Sequence, residues 1–113
     1  MGNVGQVVVG VIGFAPDYEE ITNRRLHIEV HHLNVLLDLG IPFTREYFHV
    51  YSRAVYEALQ SAISSGWVAV TTLYRNGKRV IKYGLTPLGY QALEEFQKEQ
   101  PDLMKRIKEV ISE

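Results

Sequence analysis

Asn76-Gly77 is the pair that leaves this chain least freedom. It divides VAVTTLYR from KRVIKYGL, two runs rich in β-branched and aromatic residues. A two-residue hairpin turn of type I′ needs φ above zero at both central positions, which Asn-Gly adopts at little cost. The turn also predicts the register: Arg75 opposite Lys78, Tyr74 opposite Arg79, Leu73 opposite Val80 and Thr72 opposite Ile81. Side chains alternate along a strand, so Val68, Val70, Thr72, Ile81, Tyr83 and Leu85 are expected on a core face. Leu73, Arg75, Lys78, Val80 and Lys82 fall on the other.

Helices flank this hairpin. Ser52 is an N-cap for a helix over 52–65 and Gly66 stops it, with Val55, Leu59, Ala62 and Ile63 turned inward. Its outer face presents Arg53, Glu57, Gln60, Ser61 and Ser64. After the hairpin, Thr86 caps a helix with Pro87 at its first position and an apolar stripe of Leu88, Ala92, Leu93 and Phe96. Upstream, Thr44 is expected to cap a short helix running to about Val50. Two helices in such quick succession predict a helix-turn-helix pair.

The N-terminal region is harder to read. Residues 5–14 combine valine and glycine with no charge, and β-branched residues favour a strand there; a poorly ordered arm is the alternative. Ala15-Pro16-Asp17 resembles a helix start, and Leu26, Val30, Leu33 and Leu37 form one helical stripe that Gly40 and Pro42 terminate. Leu26, Ile28 and Val30 also alternate with His27, Glu29 and His31 as a strand would, but the start and stop signals favour helix. After Pro101, the residues Leu103, Ile107 and Val110 predict a short amphipathic helix, either a dimer contact or a lid on the chain's own N-terminal helix. The expected division is an arm or strand over 1–15, a central domain over 16–100 and a terminal helix over 101–113.

A length of 113 residues suits one domain with a small core. The chain has no cysteine, which excludes disulfides and thiolate metal sites. No stretch reads as a secretory signal or membrane anchor, so a cytoplasmic protein without a membrane partner is expected. The net charge of −1 conceals an asymmetry. Residues 41–85 hold six basic side chains against two acidic ones, and the remainder holds six against eleven. A basic segment within an acidic chain points to a polyanionic partner. His27, His31 and His32 lack the HExxH pattern and an evident carboxylate ligand, so no metal is expected. No nucleophile–base pair, phosphate loop or paired carboxylates stand out. Neither an enzyme nor a cofactor is expected.

Residues 33–96 resemble winged helix-turn-helix transcriptional regulators of the PadR-like and MarR-like kind. The resemblance rests on SRAVYEAL at 52–59, SGWV at 65–68 and YGLTPLG at 83–89. It implies an α+β, mostly helical fold with a two-stranded wing and added N- and C-terminal elements. It also implies a homodimer on double-stranded DNA, with Arg53 and its neighbours in the major groove and Arg75, Lys78 and Arg79 on phosphates. Within that scheme, Arg53, Gln60 and Ser61 meet base edges or nearby phosphates, while Arg45 and Lys82 add backbone contacts. Glu57 departs from the pattern, because a carboxylate on a reading face repels phosphate. A winged-helix module serving protein contacts alone is therefore the alternative.

Overall fold

A computed structural model describes residues 2–16, 21–46 and 49–112. The fold is α+β and mostly helical, in the order α1 (Gly2–Phe14), α2 (Asn23–Leu37), β1 (Thr44–Glu46), β2 (His49–Tyr51), α3 (Arg53–Ser64), β3 (Val68–Arg75), β4 (Lys78–Leu85), α4 (Pro87–Glu99) and α5 (Pro101–Ile111).

Residues 5–14 are helix, neither strand nor arm, and they form the axis of the core. Val7, Val8, Val9 and Val11 are all fully buried, because α3, α4, α5, α2 and β4 pack around the helix. A helix that is apolar all round belongs inside a fold, and burial on every face outweighs the β preference of valine. Its small residues permit the close approach. A methyl added at Gly13 would stand 2.6 Å from Leu85 Cδ1 and 2.7 Å from Leu93 Cδ2.

The second long helix starts later than Pro16 suggests. Thr22 caps α2 by accepting from Arg25 N at 3.2 Å, and Ile21 beforehand forms a single bridge to Tyr83 of β4. Helix prevails over the alternating reading of 24–31, with Leu26, Val30 and Leu33 in the core. Asp38 takes the left-handed position at the C-terminus, the role expected of Gly40. Asn34 then clamps the chain through paired hydrogen bonds to Ile41, both 2.9 Å.

The expected helix from Thr44 to Val50 is absent among the described residues. Thr44–Glu46 and His49–Tyr51 pair as an antiparallel hairpin, with Tyr47 and Phe48 outside the described residues. This removes the helix-turn-helix pair. The hairpin instead carries the chain back along α2, so that α3 begins beside the N-terminal turns of α2. His27 marks the junction. It is buried, stacked on Tyr51 at 5.2 Å, and its ring nitrogens lie 2.9 Å from the Asn23 carbonyl and 3.3 Å from that of Ser52.

The β3–β4 hairpin has the predicted register throughout, with Asn76 and Gly77 at φ of 51° and 77°. Its expected core face is only partly correct. Val68 is buried and Tyr83 and Leu85 half-buried, whereas Val70 and Thr72 are exposed. The base of the hairpin joins the core and its outer half stands away. α5 closes the opposite side: Met104, Ile107 and Ile111 are buried, with Met104 and Ile107 against Gly10 of α1. The amphipathic stripe thus lies within its own chain, centred one position away from the predicted Leu103, Ile107 and Val110.

Candidate nucleic-acid interface

The third helix, α3, is held firmly at both ends. The Ser52 hydroxyl accepts from Val55 N at 3.3 Å. At the far end Gly66 N donates to Ile63 O and Trp67 N to Ala62 O, both at 3.0 Å, the paired bonds of a Schellman motif. Gly66 holds the left-handed conformation that the motif needs, with φ of 79°. Val55, Leu59 and Ala62 lock the inner face into the core.

Arg53, Glu57, Gln60, Ser61 and Ser64 are all exposed on the outer face, as predicted. Arg53 does not face solvent alone. Its Nε lies 3.3 Å from Glu57 Oε2 in an exposed pair one turn apart. Such a pair contributes little to stability, but it half-neutralises the one basic residue of this helix. Ser61 lies at the edge of that face nearest α1, lining one groove with Glu57 and Val4 and another with Gly5 and Gln6.

The wing divides its charges between two faces. Arg79 pairs across the strands with Tyr74, and by alternation that pair shares a face with Tyr83. This is the face that α3 borders: burial first, and then the neighbouring Tyr56 hydroxyl, push the Tyr83 phenol upward in pKa. Arg75, Lys78 and Lys82 belong to the reverse face. Lys78 and Arg79 are exposed and Lys82 half-buried, and among the described residues none of the three has a carboxylate within ion-pair distance.

A second basic cluster was not legible in advance. Arg45 from β1 and His49 from β2 meet Arg24 and His31 from α2 around a pocket of about 200 Å³, floored by Ile28 and Val50. Arg24, Ile28 and His31 recur at helical spacing on the outer face of α2, opposite its core stripe. What assembles them with Arg45 is the β1–β2 hairpin, a segment whose sequence predicts helix. His31 rests edge-on against Phe43 at 5.0 Å. With His27 buried against Tyr51 beside the Asn23 and Ser52 carbonyls, the three histidines of α2 do not converge, and among the described residues no group of three potential ligands could hold a metal ion.

Compared with models of protein families and with curated proteins, the chain matches none. No helix among the described residues is long and apolar enough to cross a membrane.

Proposed function

We propose that this chain binds double-stranded DNA as a winged-helix-like protein, a dimeric transcriptional regulator whose β3–β4 hairpin grips the backbone. The observation that carries this reading is the wing itself. Its outer half stands clear of the core and presents Lys78 and Arg79 to solvent without acidic partners among the described residues. Burial cannot account for a hairpin that buries so little, whereas phosphate contact accounts for both its protrusion and its charge.

In this reading Arg79 lies on the α3 side of the wing and works with Arg53 and Gln60 on one stretch of duplex. Arg75, Lys78 and Lys82 hold the next phosphates from the reverse face. Arg45, with Arg24, provides a second anchor beside the start of α3. Arg53 must exchange Glu57 for a phosphate or a guanine edge, so most of the affinity comes from the wing. Fluorescence anisotropy with a random duplex, titrated across salt, tests this. Affinity should fall by about 0.9 log unit per decade of salt for each phosphate contact. A Lys78→Glu/Arg79→Glu variant should lose most of the binding. Salt-independent binding, or none at low salt, overturns the reading.

A module for protein contacts is the second reading. Val70 and Tyr74 favour it, since they share one wing face and are 48% and 74% exposed. With Arg53 held by Glu57, that face is more aromatic than basic. Self-association needs a surface other than α5, whose apolar stripe is used internally; light scattering on the intact chain measures it directly.

A further inference from the structure

The pocket of about 200 Å³ between α2 and the β1–β2 hairpin has only basic side chains for its polar lining. Arg24, Ile28 and His31 reach it from α2 at i, i+4 and i+7, one helical stripe, and Arg45, His49 and Val50 reach it from the hairpin. Arg24, Arg45 and His49 are exposed, so a ligand can meet their donors. Among the described residues neither guanidinium has a carboxylate within ion-pair distance. The helix and the hairpin carry one acid each. Glu29 pairs with Arg25 at 3.0 Å, and the strand register sets Glu46 opposite His49 rather than Arg45. His31 is half-buried and edge-on to Phe43, a contact that limits the rotation of its ring.

Guanidinium groups stay charged at physiological pH, and their planar fork matches a pair of phosphate oxygens. Two such charges on one small pocket balance a dianion better than a monoanion. A phosphate monoester carries about −1.5 to −2 at pH 7 and offers three acceptor oxygens, whereas a backbone diester carries a single charge on two free oxygens. Size points the same way. Pockets that enclose whole drug-sized ligands run to about 300–1,000 Å³, so this one suits a headgroup whose remaining atoms stay outside. We propose that the pocket binds a phosphate monoester. Arg24 and Arg45 grip its oxygens, and His31 and His49 donate from α2 and the hairpin. The site deepens the second anchor of the DNA reading without resting on duplex binding. A small metabolite and the 5′-phosphate at the end of a strand present the same group to it.

The intact protein is titrated with glycerol 3-phosphate and with dimethyl phosphate at fixed pH and ionic strength, followed by proton NMR of its four histidines. The expected result is saturable binding of the monoester at least tenfold tighter than the diester. The His31 and His49 ring signals should shift, with those of His27 and His32 unmoved. Arg24→Gln and Arg45→Gln should each weaken the monoester at least tenfold, whereas Lys105→Gln on α5, an equal change of charge, should not. Anisotropy then compares a 5′-phosphorylated duplex with its 5′-hydroxyl twin. A gain from the phosphate that Arg45→Gln abolishes makes a strand end the ligand; monoester binding without such a gain makes it a small molecule. Equal affinity for monoester and diester, no saturable shift of His31 and His49, or unchanged affinity in both arginine variants overturns the proposal. The small-molecule titration contains no DNA, so this site and the DNA reading fail separately.

Discussion

Gly89 shows how tightly single residues constrain this fold. It is buried at the start of α4, and a Cβ placed on it would collide with the Trp67 carbonyl oxygen. That oxygen already accepts Thr86 N at 3.0 Å, so the backbone there has nowhere to retreat. Gly89→Ala should therefore lower unfolding free energy by about 1–3 kcal/mol, the usual cost of overpacking, as measured by urea denaturation. Gly84→Ala is the matched control, because an added methyl there meets nothing within 4 Å. Tyr83 offers a second residue-scale prediction. Burial, then Tyr56, raise its pKa in the folded state, so the folded chain holds the phenolic proton more tightly than the unfolded one. The resulting stabilisation is complete below the ordinary tyrosine range near 10 and is lost as pH rises through the folded value. Thermal melts above pH 10 should show a falling midpoint whose slope is shallower in Tyr83→Phe.

At the scale of elements, the wing and the core should separate experimentally. Excising Tyr74, Arg75, Lys78 and Arg79 leaves Asn76-Gly77 as a turn on a shorter ladder and removes no buried side chain. The melting temperature should change little, while duplex affinity should vanish. A large loss of stability would show that the outer half of the hairpin supports the fold after all. Elements differed in how far the sequence revealed them. The wing was legible to the residue, because its register follows from turn chemistry between adjacent strands. The caps at Ser52 and Thr86 were legible for the same local reason. α1 was not, because a helix buried on every face carries no period, and valine and glycine then argue locally for strand. The 44–51 hairpin was hidden by Thr44, a residue equally at home as a helix cap or in a strand. Half of the candidate interface went with it, since Arg24 and His31 meet Arg45 and His49 only across that hairpin.

For the whole molecule the decisive contact is between the first helix and the last. Met104, Ile107 and Ile111 of α5 cover one side of α1, and Lys108 Nζ sits 5.9 Å from the Phe14 ring centroid. Each buried aliphatic side chain contributes roughly 1.5–3 kcal/mol, against a total stability of about 5–15 kcal/mol for an ordinary domain. A chain ending at Gln100 should therefore lose cooperative unfolding by circular dichroism and gain affinity for a hydrophobic dye. Cooperative melting of that truncated chain would show α5 to be an accessory.

The same arrangement matters before the protein is complete. Synthesis proceeds at about 5–20 residues per second, so α5 follows α1 out of the ribosome by on the order of ten seconds. Throughout that interval the side of VVVGVIGF that α5 covers stays open, an apolar surface of the kind that chaperones hold. Protease probing of stalled nascent chains should find α1 fully protected only once α5 has cleared the exit tunnel.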